Sequence, residues 1–429
     1  MIFKNFWAHR KQNGFVFAEI VLIVILSFYM IDSVVVWVDS TYIFHAAGEF
    51  EKEHLIVGGT QRKTAITEKD GEDILAPLYA FRDAVRALPE VESVCLTEHF
   101  IGCEDGNWNN HRMAPEADTT QACIFYHETF HLNQHYFETT GLTAIEGSPS
   151  AESLSTNCPE DGVVITRSLA RQLFGTDDVV GRRVVEIQYR PGPDARDVEF
   201  ATRYTVAGVL EDVKPQPQER YCLMAFFPRT SFMGNRPMML IRLKPDASAE
   251  RFIEERKDIP DPAYTFRWLF TYKDYQENTY DITDMYGILT ILGTLGLLFI
   301  LNVMLGTLGT FWLQIRKRTE DIGIMRSFGA KRRDIFLQTW GEGALLTLVA
   351  CIAGQLVWLQ FAMNGGLSYG TSAHITSGPG IDWVASFWPH FLIVCAIQYL
   401  LMLAIVTLGM IVPSLIAMYT KPVNALRHE

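Results

Sequence analysis

Several kinds of chemistry leave none of their usual marks in this chain of 429 residues. There is no GxxxxGK[ST] sequence, so no P-loop cradles a nucleotide. No CxxC pair occurs, which removes the common zinc-ribbon and thioredoxin-like spacings. Net positive charge is lacking too. The formal charge of -12 excludes nucleic acid as an expected partner, since phosphate recognition asks for a basic face.

Seven cysteines are present. Cys95, Cys103, Cys123, Cys158 and Cys222 fall in the long middle region, while Cys351 and Cys395 sit in apolar runs. An oxidising compartment would permit disulfides in the middle region. Five is odd, however, and spacing does not choose a pairing or exclude buried free thiols.

What is abundant is apolar sequence, 48% of the chain, gathered into blocks. The opening Met1–Asn13 sets Phe3, Phe6 and Trp7 beside Lys4, Arg10 and Lys11, a composition suited to a membrane interface. Gly14–Val38 is then almost continuously apolar and long enough to span a bilayer. Cleavage as a signal peptide near Ala46-Ala47 is the plainer alternative, against which the run is too long for an ordinary h-region. Tyr286–Leu313 is 28 residues long. A helix of that length reaches about 42 Å, against a hydrocarbon core near 30 Å, which favours a helix continuing out of the membrane as a stalk. Thr339–Phe361 and Phe391–Ile416 complete four spans.

Lys and Arg in the short loops set the orientation. The loop between the second and third runs holds seven: Arg316, Lys317, Arg318, Arg326, Lys331, Arg332 and Arg333. The N-terminal arm adds three and the tail two, Lys421 and Arg427, whereas Ala362–His390 holds none. Both termini and the basic loop are expected in the cytoplasm, and the large middle region outside.

That middle region reads as a mixed α/β domain. Strands are expected at His54–Gly58 and Val91–Leu96 with an amphipathic helix at Glu72–Leu88 between them. The order returns at Met238–Leu243, Ser248–Asp258 and Tyr264–Leu269. The pattern predicts one split α/β subdomain carrying a β-rich insertion, with strands at Gly162–Thr166, Arg183–Tyr189 and Thr202–Leu210 and a short helix at Ser168–Phe174 closed by Gly175.

His127-Glu128-Thr129-Phe130-His131 matches HExxH. On a helix the two histidines would share a face and bind zinc, with Glu128 as general base. The surrounding Cys123–Phe130 alternates aromatic and polar residues and predicts a strand, on which the histidines lie too far apart for that geometry. No catalytic residue and no metal ligand is therefore assigned, and a membrane metalloprotease is the remotest reading. Glu19 and Asp32 in the first span and Glu342 in the third are ionisable groups at membrane depth and so candidates for an intramembrane role. Snorkelling or pairing with another helix serves each equally well.

In the basic loop, Glu320 and Asp321 precede Ile322, Ile324 and Met325, and Gly329-Ala330 ends a short helix ahead of Lys331. A turn with an acidic start and an apolar face suits docking into a groove. Here the sequence resembles permeases of ABC transporters of the MacB/FtsX type. Arg318–Ile335 and then Glu342 resemble their pattern RxxExGIxRxxGAxxxxI followed by a Glu, with Glu320 beside Asp321 at the acidic position, and Pro422–Arg427 matches their tail. Tyr136–Glu138, Gly141-Leu142, Gly147, Val163–Phe174, Val180-Gly181, Val206–Val209 and Asp212–Lys214 resemble their extracytoplasmic core. The opening arm, with Trp7, Arg10 and Asn13, is similar to Bacteroidetes permeases.

The resemblance implies an α-helical membrane protein with four transmembrane helices plus an α+β extracytoplasmic, MacB-like periplasmic core domain on a helical stalk. The expected organisation is an interfacial arm and first span over 1–38 and a periplasmic domain over 39–285. Within that domain the split subdomain takes 54–99 and 237–270, and the insertion takes 100–236. The second span covers 286–313, the coupling loop 314–338, the third span 339–361, a periplasmic loop 362–390, the fourth span 391–416 and a cytoplasmic tail 417–429. It also implies a stand-alone permease subunit of the bacterial inner membrane, carrying no cofactor and hydrolysing nothing itself. ATP and Mg2+ would be bound by a separate cytoplasmic ABC ATPase. Contact with that ATPase would fall to Glu320, Asp321, Ile322, Gly323, Ile324, Met325, Arg326, Gly329 and Ala330. Further partners implied are a second permease in a homo- or heterodimer, a periplasmic adaptor, an outer-membrane channel and membrane lipids. The expected function is efflux or export by mechanotransmission. FtsX-like signalling to an extracytoplasmic enzyme, with no cargo moved, is the alternative.

Overall fold

The computed structural model describes residues 10–43, 53–63, 75–98, 111–191, 197–214, 223–230, 237–256, 259–282, 285–367, 383–384 and 386–419. Much of the expected 362–390 loop, the tail beyond 419, the opening nine residues, Cys103 and Cys222 lie outside them. Helix α1 (Arg10–Val38) runs into a π-helical turn (Asp39–Ile43), followed by β1 (Leu55–Arg62), α2 (Leu75–Arg86) and β2 (Val91–Thr97). Next come β3 (His111–Pro115), β4 (Cys123–Ile124), β5 (Tyr126–His131), α3 (Tyr136–Thr140) and α4 (Ala151–Asn157). Then follow β6 (Gly162–Thr166), α5 (Arg167–Phe174), β7 (Arg183–Pro191), β8 (Asp197–Leu210), β9 (Met224–Arg229) and β10 (Met238–Leu243). After α6 (Ala249–Arg256), β11 (Tyr264–Thr271) and α7 (Tyr272–Ile282) come the long helices α8 (Met285–Lys317), α10 (Arg332–Gly365) and α11 (Phe387–Tyr419), with the short α9 (Thr319–Ser327) before α10.

Two compact units result. One comprises Met1–Val36, Tyr286–Tyr369 and Ser386–Glu429; the other comprises Trp37–Met285 and Gly370–Ala385.

In the α/β unit a four-stranded sheet has the order β11-β1-β10-β2, antiparallel throughout. Strand alternation divides its side chains between two cores. Ile56, Met239 and Ile241 pack under α2 and α6 with Phe81, Val85 and Phe252. Leu55, Val57, Cys95 and Leu240 face the other way, onto Phe130, Tyr136, Phe137 and Phe226. A sheet covered on both faces explains why these strands read as continuous apolar runs. Gly58 and Gly59 admit β11 closely: a Cβ on Gly59 would stand 2.4 Å from the Trp268 ring.

The second sheet has seven strands in the order β4-β3-β7-β8-β6-β9-β5. The expected single strand through Cys123–Phe130 is broken at Phe125 into β4 and β5, which occupy its two ends. Residues two apart in sequence are separated by at most about 7 Å. The sheet therefore curls until its edges approach, and its interior holds Phe125, Val163, Ile165, Leu169, Val206 and Phe227. Helix α5 ends as its sequence requires, at Gly175 in the left-handed region with φ +71°.

In the other unit, α1, α8, α10 and α11 are each long and apolar enough to cross a membrane. Side chains of all four meet in one cluster that includes Ile20, Val24, Val303, Leu346, Ala350, Met402 and Met410. Side-chain amides, Gln398 buried and Gln355 half-buried, pin three of them. Gln398 of α11 donates to the Val24 carbonyl at 2.9 Å and to Ser27 at 3.2 Å, and Gln355 of α10 donates to the Cys395 carbonyl at 3.0 Å. In apolar surroundings such amides hold helices in register because no water competes for them. The helices overrun the expected spans: α8 continues to Lys317, and α10 begins at Arg332, so Arg332–Phe336 belongs to the third long helix.

Candidate functional site

Helix α9 stands alone between two long apolar helices and places Glu320 and Asp321 in its first turn, where the positive end of the helix dipole favours them. It ends at Gly329, φ +92°, with the Gly329 N–H donating to Arg326 O and the Ala330 N–H to Met325 O. Only glycine takes that backbone without strain.

The residues named from sequence separate into two sets. Ile322 and Gly323 are buried, Ile322 packing with Ile315, Ile335, Ala417 and Met325. Through this packing Ile322 fastens α9 to its own unit. Glu320, Asp321 and Ile324 are exposed, while Met325, Arg326 and Ala330 are half-buried. Arg326 Nη1 donates to the Met418 carbonyl at 3.3 Å. The largest exposed group was missed: Phe328 is 88% exposed, four residues after Ile324 at 44%. Phe328 caps the helix, its N–H donating to the Ile324 carbonyl at 3.1 Å, so the two lie one turn apart. An aromatic directly before a helix-ending glycine was the available signal.

The start of α9 is anchored by charge. Arg318 Nη1 lies 2.6 Å from Glu342 Oε2 of α10, the side chains being 19% and 5% exposed. The pair borders a cavity of about 250 Å3 lined also by Phe311, Gln314, Asp321, Gln338 and Thr339. Of the three intramembrane carboxylates, Glu342 is thus a fastening for the loop. Asp32 is fully buried and sits 2.6 Å from His390 Nε2, joining α1 to the first turn of α11. His390 went unnoticed because its partner is distant in sequence. Glu19 lies against Gly306 of α8, where a Cβ would stand 2.2 Å from its Oε1.

The HExxH residues lie on β5, as the alternation predicts. His127 stacks on Phe227 with ring centroids 4.4 Å apart, and its Nε2 is 3.7 Å from Glu186. The Glu128 carboxylate accepts from the Thr129 N–H at 3.1 Å. Along a strand His127 and His131 are about 13 Å apart. No group of three metal-ligating side chains occurs among the described residues. Burial pushes the Cys123 and Cys158 thiols up to about 12 and raises Cys95 as well, and all three are free.

Burial also drives His131 down to about 4, helped by Arg229 and opposed by Glu98. A folded-state value below the usual 6.5 means that the unfolded chain binds the extra proton. The contribution is intact above pH 6.5 and is lost as the pH falls toward 4. Acidification across that window should cost about 2 kcal/mol. His131→Phe should flatten the pH dependence of urea unfolding followed by tryptophan fluorescence; an unchanged slope would refute the assignment.

Comparison with known proteins bears on the whole chain. Residues 20–259 match the family model of the MacB-like periplasmic core domain, more than half the length, and residues 293–422 match that of the FtsX-like permease C-terminal region. The chain belongs to the MacB/FtsX-type permeases of ABC transporters. An uncharacterized ABC transporter permease, YknZ of Bacillus subtilis, is 29% identical over 143 residues, covering 33% of this chain and 32% of that protein. The aligned segment thus spans about a third of this relative. Among solved structures, a domain of a putative permease protein from Porphyromonas gingivalis is 18% identical, covering 50% of this chain and 89% of its own, with a TM-score of 0.27. The extracellular domain of the noncanonic ABC-type transporter YknZ from Gram-positive bacteria is 13% identical, with coverages of 49% and 100% and a TM-score of 0.29. As a MacB/FtsX-type permease the chain is a membrane-embedded protein.

Proposed function

We propose that this permease passes the ATP cycle of a separate cytoplasmic ABC ATPase to its extracytoplasmic domain by mechanotransmission, in the service of efflux or export. The observation that carries the reading is α9, a short helix fastened to its unit by Ile322 and Arg318 while showing Ile324 and Phe328 outward. Buried anchors on one side and an exposed apolar pair on the other suit a helix that is pushed by a partner's groove. Glu320, Asp321, Met325, Arg326, Gly329 and Ala330 complete the contact surface. ATP and Mg2+ belong to the ATPase, and this chain hydrolyses nothing.

The basic loop and both termini lie in the cytoplasm of a bacterial inner membrane, and the α/β unit lies in the periplasm, by the Lys and Arg asymmetry. Only 11% of the apolar window of α8 is buried within the chain, which supports a second permease, along with lipid, against that helix. A periplasmic adaptor and an outer-membrane channel would extend the path.

Phe328→Asp decides the coupling role. The side chain is exposed, so membrane insertion and thermal stability should be unchanged, while co-purification of the ATPase falls about tenfold or more, as for loss of an aromatic anchor at an interface. Undiminished co-purification with the variant would remove α9 from the interface.

A further inference from the structure

One charged side chain of the α/β unit is buried at a helix end. Lys214, which follows β8 after Asp212 and Val213, is buried, and its Nζ donates to the Ser40 carbonyl at 2.5 Å. Ser40 belongs to the π-helical turn Asp39–Ile43 that ends the first apolar span, Phe17–Ile43, and is itself fully buried. Carbonyls in the last turn of a helix have no N–H ahead of them, and the negative end of the helix dipole gathers there. An ammonium group answers both needs. The Ser40 and Thr41 hydroxyls beside it are buried without a hydrogen-bond partner among the described residues, which leaves the turn dependent on groups from elsewhere.

The side of the α/β unit that supplies the lysine is firmly built. Val213 is in the main core cluster. Asp212 takes hydrogen bonds from the Ser168 N–H and hydroxyl, both at 2.7 Å, at the start of α5. Within the α/β unit a short hydrogen-bonded connection therefore runs from α5 and the seven-stranded sheet, through Asp212–Lys214, to the turn Asp39–Ile43. Local π-helical winding is costly and clusters at positions with a functional demand.

We infer that Lys214 is a positioning residue for coupling: its ammonium clamps the terminal turn of the first span, so that displacement of that helix is delivered to the seven-stranded sheet. This rests on the mechanotransmission reading above. Residues 37–43 would otherwise end in a helix terminus free to fray, absorbing displacement locally.

The test uses the full permease with its ATPase in nanodiscs, following amide hydrogen exchange of residues 37–43 and 206–214 with and without ATP. In wild type, ATP should change exchange in both segments. Lys214→Met keeps the aliphatic stem and removes the donor. It should raise exchange at 37–43 about tenfold, the loss expected for a hydrogen bond from a charged donor, and abolish the ATP-dependent change at 206–214 with ATPase binding retained. Lys214→Arg should restore the ATP response, which a role confined to stability does not require. A Lys214→Met protein that responds to ATP as wild type does would overturn the clamp. Should that variant fail to fold, amine footprinting of the wild type takes its place: Lys214 should resist acetylation that exposed Lys273 accepts, and equal labelling would overturn the proposal. A wild type silent to ATP, with Lys214 still protected, would overturn the coupling reading while leaving the clamp as a contact.

Discussion

Glu342→Leu should lower the unfolding free energy by about 3–5 kcal/mol, the cost of leaving one member of a buried ion pair without its partner. Glu342 is nearly inaccessible, and its carboxylate lies 2.6 Å from Arg318. Without it the guanidinium keeps its charge, because arginine does not deprotonate in proteins. Its Nε and Nη2 are already buried without hydrogen-bond partners among the described residues, so losing the Nη1 contact leaves the buried guanidinium still less satisfied. The adjoining cavity of about 250 Å3 gives the side chain some room to reach water and draws the cost toward the lower end. Arg318→Met with Glu342→Leu removes both charges and should recover most of the loss. Thermal unfolding of the four proteins in detergent forms a double-mutant cycle. Single-variant losses that simply add would mean that the two groups do not form a pair. Because Arg318 immediately precedes α9, Glu342→Leu should also loosen α9 and weaken ATPase stimulation, an effect absent from an exposed control such as Lys317→Met.

Gly409→Leu is expected to cost about 3 kcal/mol by overpacking. Here α11 approaches α8 so closely that even a Cβ would stand 2.2 Å from Thr307 Oγ1 and 2.9 Å from the Met304 carbonyl oxygen. A hydroxyl can rotate away, but the carbonyl is backbone, so the helices must separate. Separation exposes Val303 and Met410 in the cluster shared by all four long helices. Gly309→Leu is the matching control: nothing lies within 4 Å of its Cβ position, and replacing glycine in a helix favours stability by up to about 1 kcal/mol. Equal losses from the two substitutions, measured as shifts in melting temperature, would contradict the close approach at Gly409.

These effects differ in how far they could be read from sequence. The four long helices follow from runs of apolar residues, a local property that survives any arrangement of neighbours. Strands such as Gly162–Thr166 and Met238–Leu243 lie where their β-branched and apolar runs place them, because extended backbone and burial act over the same few residues. The ends at Gly175 and Gly329 were also legible, since a left-handed φ singles out glycine. The HExxH match was dismissed on the same local grounds, by alternation around His127.

Tertiary structure alone decided which apolar residues of α9 face inward. Ile322 and Ile324 are alike in sequence, and only the presence of Ile315, Ile335 and Ala417 turns Ile322 into an anchor and leaves Ile324 with Phe328 outside. Periodicity marks an apolar face but does not name what covers it. The break at Phe125, which sends β4 and β5 to opposite ends of one sheet, depends on pairings made with distant strands. The ionic and polar fastenings have the same origin. Asp32 with His390, Arg318 with Glu342, and Lys214 with the Ser40 carbonyl join groups 358, 24 and 174 residues apart. Composition and charge thus determined the elements of the chain and the loop between its second and third long helices. The contacts that hold that loop, and that clamp the end of the first span, arise only when burial brings together groups that cannot remain unpaired away from water.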